Sequence, residues 1–151
     1  MKYDVALPHG ETTEKSLEEL LSLSPYTILY FYPKNNTPWC TMEAKDFTEL
    51  ADEFEEKWVQ IIGVSKDSIE SHCGFINKHG LSNTFISDPE IKLHQQYNAR
   101  WEKNTYGKKS IGVIRSTILL DKDGNTLHER HNVKATWHAQ RVLTYVKENL
   151  E

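Results

Sequence analysis

The chain has 151 residues, 38% of them hydrophobic, and this length fits one globular domain spanning residues 1–151. The net charge is −4 and the two signs of charge are mixed along the chain, so we expect no nucleic-acid or membrane partner. Two cysteines are too few for a secreted disulfide framework, and no stretch resembles a signal peptide or a membrane span. We therefore expect a cytoplasmic protein.

Residues 1–26 carry the weakest patterns in the chain. Residues 4–7 predict a short strand, which the sequence Pro-His-Gly at 8–10 would turn. Ser16 predicts the N-cap of a short helix. The residues on one face of that helix would be Leu17, Leu20 and Leu21.

A strand, a loop and a helix start carry the most informative pattern. Residues 27–32 are mostly β-branched or aromatic, which predicts a buried strand, and Pro33 ends it. Thr37 is a favourable N-cap, and Pro38 then occupies the first helical position. Cys40 is therefore the third helical residue, where unpaired N–H groups and the helix dipole favour a thiolate over a thiol. The pattern predicts a nucleophilic sulfur.

Helices and strands alternate after this point. Residues 41–58 predict a helix, residues 59–64 a buried strand, and residues 67–79 a helix ended by Gly80. The apolar face of the first of these helices would consist of Ala44, Phe47, Leu50 or Ala51, Phe54 and Trp58.

The second half of the chain continues the alternation. Residues 84–87 predict a short strand, and Asp88 predicts the N-cap of a helix through residue 97. Residues 111–120 predict the longest strand, which a turn at 121–124 joins to residues 125–131 as a hairpin. Residues 136–149 predict a closing helix. The order predicts an α/β fold with a central mixed sheet flanked by helices, compatible with a thioredoxin-like sandwich.

The spacing of Pro33, Thr37 and Cys40 resembles the active-site motif of the peroxiredoxins, Pro-x-x-x-Thr-x-x-Cys. The extension through Thr41 and Glu43 resembles the bacterioferritin-comigratory protein branch, also called PrxQ. The resemblance spans nearly all of residues 27–148. Its further matches are Gly63 to Ser65, Asp67, Ser68, Ser71, His72, Ser87, Asp88, Tyr106, Gly107, Gly112, Arg115 to Thr117, His138 and Ala139.

The resemblance implies a thiol peroxidase that reduces hydrogen peroxide or small organic hydroperoxides through a sulfenic acid on Cys40. Peroxide reduction requires a thiolate, hydrogen-bond donors for the substrate and positive charge near the leaving oxygen. Thr37 would bind a peroxide oxygen and Arg115 would supply the charge, while Pro33 would shield the sulfur from water. Glu43 would orient Arg115 or only favour the helix start. No cofactor is implied, and thioredoxin or another thiol would supply electrons.

The second cysteine, Cys73, leaves two mechanisms open. Many PrxQ-type proteins carry a resolving cysteine five residues after the nucleophile, where this chain has Lys45. Other relatives place it on the helix after the second strand, about one turn beyond Cys73. Cys73 also shares one predicted helical face with His72 and Ile76, so it could simply pack in the core. We favour a one-cysteine mechanism with an external thiol, and a monomer, although relatives include dimers.

Other interpretations of the same residues remain open. Cys40 could be an inert buried cysteine, and Thr37 only an N-cap. A thiol-disulfide oxidoreductase would need a cysteine at Thr37. A catalytically idle binding module would follow if Trp39, where the family usually has a small residue, obstructs the site. We expect no metal site, because His128 and His131 lie three apart on a predicted strand and would point to opposite faces.

Overall fold

A computed structural model describes residues 2–8, 11–131 and 138–149. Strands and helices alternate through most of the chain. The strands are β1 (Lys2–Ala6), β2 (Thr12–Ser16), β3 (Tyr26–Phe31), β4 (Val59–Ser65), β5 (Thr84–Ser87), β6 (Arg100–Thr105), β7 (Lys108–Val113), β8 (Ser116–Asp121) and β9 (Thr126–Arg130). The helices are α1 (Leu17–Leu21), α2 (Pro38–Glu49), α3 (Ala51–Glu56), α4 (Ile69–His79), α5 (Lys92–Gln96) and α6 (His138–Asn149).

Seven of these strands form one sheet in the order β2-β1-β5-β4-β3-β8-β9. The central strands β3, β4 and β5 are parallel, while β1, β8 and β9 pair antiparallel to their neighbours. The expected mixed α/β sheet is therefore confirmed. Within the described part of the chain, no helix is long and apolar enough to cross a membrane.

The alternation of side chains along β3 divides the interior into two cores. Ile28 and Tyr30 face a core that contains Cys40 and the buried faces of α2, α3, α4 and α6. Leu29 and Phe31 face the opposite core, which is covered by α1 and α5. The nucleophile predicted from the sequence thus lies on the side of the sheet with four helices.

Several local predictions are confirmed. The strand at 84–87 has the predicted bounds, and the 59–64 strand extends by one residue to Ser65. Gly80 ends α4 in the left-handed conformation with φ 61°, as its freedom from a Cβ allows. Ser16 caps α1 through a capping box with Glu19. The hairpin of β8 and β9 also forms at the predicted turn.

Two strand predictions are incomplete. The N-terminal strand covers Lys2–Ala6 rather than residues 4–7, and it pairs with β2, a partner strand whose bounds the sequence did not predict. The β2 sequence Thr-Thr-Glu-Lys-Ser carries no apolar alternation, because this strand lies at the edge of the sheet. The hairpin of β6 and β7 was likewise not predicted.

Two helix predictions are wrong in extent. The single helix at 41–58 is divided at Leu50, whose φ −95° and ψ 4° depart from helical values. Trp58 follows the second piece with a side chain 69% exposed, so it does not lie on the buried face. The helix predicted from Asp88 begins only at Lys92, because Ile91 adopts a left-handed conformation with φ 54°. Of the helix predicted at 136–149, residues 136 and 137 lie outside the described residues.

The strand predicted at 111–120 is two strands in two sheets. β7 pairs with β6 in a separate two-stranded sheet, whereas β8 pairs with β3 in the main sheet. At the junction the Ile114 N–H donates to the carbonyl of Ala99 at 2.8 Å. Arg115 therefore lies between the two sheets and not within a strand.

Candidate active site

Cys40 lies in the first turn of α2, at the carboxyl end of the central strand β3. The helix begins at Pro38 after the N-cap residue Thr37, which makes Cys40 the third helical residue as predicted. Its side chain is 2% exposed and belongs to the core between α2 and the sheet. The sulfur accepts a hydrogen bond from Nη2 of Arg115 at 3.3 Å.

The register of the main sheet explains why Arg115 reaches this sulfur. β8 runs antiparallel to β3 with Ser116 opposite Phe31, the last residue of β3. The residue before Ser116 therefore lies beside the loop that leads to Cys40. From this position Nη1 of Arg115 also donates to Oε1 of Glu43 at 2.5 Å. One guanidinium, 14% exposed, thus joins two side chains that lie one helical turn apart.

Glu43 is fully buried on the face of α2 that carries Cys40. Burial raises the pKa of this carboxyl to about 7, although the charge and hydrogen bond of Arg115 act in the opposite direction. Its second oxygen, Oε2, has no hydrogen-bond partner. Nε2 of His138 lies 3.9 Å from this oxygen, beyond hydrogen-bond distance.

His138 is a part of this cluster to which sequence reasoning assigned no role. Its Nε2 is hydrogen-bonded to the hydroxyl of Thr117, and the ring meets Phe47 edge-on at 5.9 Å. Burial lowers the pKa of His138 to about 4, and the charges of Arg115 and of two further arginines lower it too. The imidazole is therefore neutral near pH 7. His138 lies beside Glu43 because α6 packs against the sheet. This is a long-range contact, so no local sequence signal could have identified it.

Thr37 occupies the N-cap position, but its side chain makes no capping hydrogen bond. The prediction that it caps the helix is therefore right in position and wrong in hydrogen bonding. Its hydroxyl turns back and donates to the carbonyl of Lys34 at 2.9 Å. Because the hydrogen is engaged there, the oxygen keeps its lone pairs to accept a hydrogen bond from another group.

Pro33 and Trp39 both lie on the exposed side of the site. Pro33 is an exposed residue in the loop between β3 and α2. The Trp39 side chain is 60% exposed, and it takes no part in the core that contains Cys40. This exposure argues against a ring packed over the sulfur, which the idle-module interpretation required.

A second buried cluster holds the loop before Cys40, and sequence reasoning did not find it. Asn35 accepts from the Tyr32 hydroxyl at 2.5 Å, and its backbone N–H donates to Oδ2 of Asp67 at 2.8 Å. Its side-chain amide lies 3.1 Å from both Oγ of Ser71 and Nδ1 of His72. Burial lowers the pKa of His72 to about 4, so this ring is a neutral acceptor. The loop is therefore fastened to the start of α4.

Cys73 follows His72 on α4. Its side chain is half-buried and packs against the core that also contains Cys40. Both cysteines are free thiols. The predicted sharing of one helical face is confirmed, because His72 and Ile76 are buried and Cys73 packs beside them.

Most of the chain is similar to proteins of known family. The AhpC/TSA family model matches residues 2–128. A putative peroxiredoxin bcp of Helicobacter pylori is 42% identical over 140 residues, which are 93% of this chain and 91% of that protein. The peroxiredoxin Bcp of Bacillus subtilis is 40% identical over 143 residues, 95% of this chain and 88% of that protein.

Solved structures show the same relationship. Peroxiredoxin Q of Xanthomonas campestris superposes with a TM-score of 0.88 at 34% identity, over 100% of this chain and 92% of that one. The expected thioredoxin-like fold is thus confirmed. Together with the family match over most of the chain, these similarities show that the chain belongs to the AhpC/TSA family and, within it, to the Bcp or PrxQ type of thiol peroxidases, the peroxiredoxins.

Proposed function

We propose that Cys40 is the sulfur with which this peroxiredoxin reduces hydrogen peroxide and small organic hydroperoxides. The Cys40 thiolate attacks one peroxide oxygen, the O–O bond breaks, and the sulfur becomes a sulfenic acid while water or an alcohol leaves. The observation that carries the proposal is the 3.3 Å contact between the Arg115 guanidinium and the sulfur. A permanent cation at this place favours the thiolate and the negative charge that develops on the leaving oxygen.

Four neighbouring features support the same chemistry. The first turn of α2 directs backbone N–H groups toward the region of the sulfur, and Thr37 leaves them without a side-chain cap. The Thr37 oxygen can accept a hydrogen bond from a peroxide O–H. Pro33 would limit the access of water from the exposed side. Glu43 fixes the guanidinium through its short hydrogen bond.

The substrate range is inferred from the relatives. A structural study of the Xanthomonas campestris bacterioferritin comigratory protein concerns its alkyl peroxide reduction activity, and that protein is 34% identical to this chain. We extend alkyl hydroperoxides to this protein as substrates alongside hydrogen peroxide.

For the return of Cys40 to the thiol, we favour thioredoxin or another external thiol. A disulfide with Cys73 requires the two Cα atoms to come within about 7 Å. Cys40 lies inside the first turn of α2, and the loop before it is fastened to α4 through Asn35. We therefore propose that an internal disulfide would require the first turn of α2 to unwind. Free thiols suit a reducing compartment, so the proposed location is the cytoplasm. The proposed oligomeric state is a monomer.

The decisive experiment is thiol-coupled peroxide consumption by wild type, Cys40→Ser and Cys73→Ser. We expect Cys40→Ser to lose the rapid reaction and Cys73→Ser to keep turnover with thioredoxin. Rapid peroxide reduction by folded Cys40→Ser would overturn the assignment. A Cys40–Cys73 disulfide in most molecules after one equivalent of peroxide, with loss of turnover in Cys73→Ser, would show an internal resolving cysteine instead.

The same assay separates the two other interpretations. A thiol-disulfide oxidoreductase would turn over disulfide without consuming peroxide, and an idle binding module would do neither. Thr37 stands where the first cysteine of a Cys-x-x-Cys motif would be needed, so a disulfide reductase is the weaker candidate.

A further inference from the structure

The Arg115 guanidinium is hydrogen-bonded to two buried acidic side chains in this site. Arg115 contacts the sulfur of Cys40 through Nη2 and the carboxyl of Glu43 through Nη1. The two acidic side chains are 2% and 0% exposed. A guanidinium carries a single positive charge at any pH that a protein tolerates. It therefore compensates one negative charge, and a second one would stay buried without a counterion.

The other groups that face Glu43 supply no second positive charge. His138, from α6, is neutral near pH 7 because burial lowers its pKa to about 4. Tyr30, from β3, also stays neutral, because burial raises its pKa well above the ordinary value. Asp46, on the same helix, adds a negative charge that opposes ionisation of Glu43. Among the described residues, Arg115 is the only lysine or arginine that pairs with Glu43.

The hydrogen bonds of Glu43 point to the same limit. Its Oε1 is held by Arg115, but Oε2 is buried and accepts no hydrogen bond. A bare oxygen costs more when the carboxyl carries a full negative charge than when it is protonated. The site thus accommodates either acid as an anion, one at a time.

We propose that Cys40 and Glu43 share one proton, so that Glu43 takes up the proton that Cys40 loses on becoming the thiolate. The inference rests on the proposed function of Cys40 and adds to it a source of the proton used in the reaction. The two groups then titrate as a coupled pair and not as independent acids.

Atoms, electrons and charge are conserved when Glu43 supplies the proton. Before peroxide binds, the thiol and the carboxylate exchange one proton to give the thiolate and the protonated carboxyl. The thiolate attacks the hydroxyl oxygen of a hydroperoxide, the O–O bond breaks, and its electron pair goes to the departing alkoxide. The sulfur is oxidised by two electrons and the peroxide is reduced by two. As the sulfur loses its negative charge, Glu43 donates its proton to the alkoxide, which leaves as the alcohol. The single negative charge of the site is then again on Glu43.

The first test replaces Glu43 by an uncharged side chain of the same size. Glu43→Gln removes the competing anion, so thiolate ultraviolet absorbance is expected at lower pH than in wild type. Glu49→Gln, at the exposed end of the same helix, is the matched control and should leave the titration unchanged. If Glu43 only orients Arg115, Glu43→Gln would leave the thiolate titration in place or move it to higher pH, and the proposal would fall.

The second test counts protons during oxidation by hydrogen peroxide. Rapid mixing with a pH indicator should show no net proton uptake per sulfenic acid in wild type. The Glu43→Gln protein, whose thiolate has no internal proton donor, should take up about one proton from solvent for each sulfenic acid. Equal uptake by the two proteins would overturn the proposal.

The third test is independent of peroxide and of the folding of Glu43→Gln. The infrared carbonyl band of the protonated Glu43 carboxyl should persist to higher pH in wild type than in Cys40→Ser, by about one pH unit or more. Without the thiolate as competitor, Glu43 ionises against Arg115 alone. A band with the same pH dependence in both proteins would refute proton sharing. This outcome differs from failure of the proposed function, which would appear only as missing peroxide reduction.

Discussion

Two buried polar clusters flank the start of α2, and they differ in how completely their hydrogen bonds are satisfied. In the loop cluster of Tyr32, Asn35, Asp67 and His72, each of these four side chains has a hydrogen-bond partner. In the acid cluster of Cys40, Glu43 and Arg115, a carboxyl oxygen is left without a partner. A fully satisfied buried network rigidifies the chain around it, whereas a buried polar atom without a partner is costly, above all when it is charged. The first cluster holds the loop that precedes the sulfur, and we propose that the second sets the charge of the sulfur.

The largest effect is expected from removing the cation of the acid cluster. Arg115→Met leaves both Cys40 and Glu43 without their counterion, so the second-order rate constant for peroxide should fall on the order of a thousandfold, as when a well-placed transition-state donor is lost. Stopped-flow kinetics measures the rate constant, and circular dichroism checks folding. Arg130→Met, an exposed arginine on β9, is the control. A folded Arg115→Met protein with near-wild-type kinetics would remove the acid cluster from the mechanism.

Thr37 lies between the two clusters, at the end of the loop and three residues before the sulfur. Thr37→Val keeps the shape of the side chain and removes the hydroxyl, so the rate constant for peroxide should fall roughly a hundredfold. Thr37→Ser restores the hydroxyl and should recover most of the rate. If valine and serine give equal rates, the hydroxyl does not contact the substrate. Denaturant unfolding of both variants separates this result from a loss of stability.

Acid should weaken the folded state through the two buried histidines. His72 and His138 each have a pKa of about 4 in the folded protein and an ordinary value of 6.5. Between these values the unfolded chain binds more protons, so stability falls as the pH decreases from about 6.5 to 4, by at most about 3 kcal/mol for each histidine. Burial raises the pKa of Glu43 from 4.5 to about 7, so its contribution has the opposite sign over that range.

Urea unfolding at a series of pH values measures this dependence. Two histidines oppose one glutamate, so the wild-type free energy of unfolding should decrease toward pH 4. His72→Asn removes one titrating group from the loop cluster and should flatten the curve between pH 6.5 and 4. A variant with an unchanged pH dependence would show that His72 is protonated in the folded state.

The smallest effect is expected from the loop cluster alone. Asn35→Ala removes the hydrogen bonds to Tyr32, Ser71 and His72, which should lower stability by about 1–3 kcal/mol. Because Glu43 and Arg115 are untouched, the pH at which the Cys40 thiolate forms should not move, while the peroxide rate constant falls modestly. A shift in the thiolate titration would show that the two clusters are one unit. Asn36 is an exposed neighbour in the same loop with a left-handed φ of 64°, which glycine tolerates, so Asn36→Gly is the control.

The sequence predicted elements whose signals are local. The start of α2, the strand at 84–87, the Ser16 cap and the Gly80 end depend on a few neighbouring residues, and all four are found. The prediction that a helix begins after Asp88 is wrong. The Asp88 carboxylate accepts hydrogen bonds from the N–H groups of Lys92 and His94, which lie further along the chain than those that an N-cap residue binds. The left-handed conformation of Ile91 permits this arrangement, and no sequence pattern predicts that conformation.

The candidate site was only partly predictable. The local motif located Cys40 and Thr37, and the family resemblance pointed to Arg115 and Glu43. The contact between them depends on the pairing of Ser116 with Phe31, a long-range register that spacing along the chain does not specify. The position of His138 near Glu43 likewise depends on long-range packing that spacing along the chain does not specify. The orientation of the Thr37 hydroxyl depends on one rotamer, which chooses between Lys34 and the helix N–H groups.

The passage of the chain from one sheet to another at Ile114 and Arg115 has a consequence for protein engineering. Among the described strands, β6 and β7 pair with each other and with no other strand, and Tyr106 at their turn is fully exposed. A fluorophore or an affinity tag inserted at this turn would lengthen the hairpin without altering the register of β8 against β3. An insertion of one residue between Val113 and Ser116 would instead displace the guanidinium from the sulfur. The turn is thus a suitable attachment point for a reporter of the redox state of the enzyme.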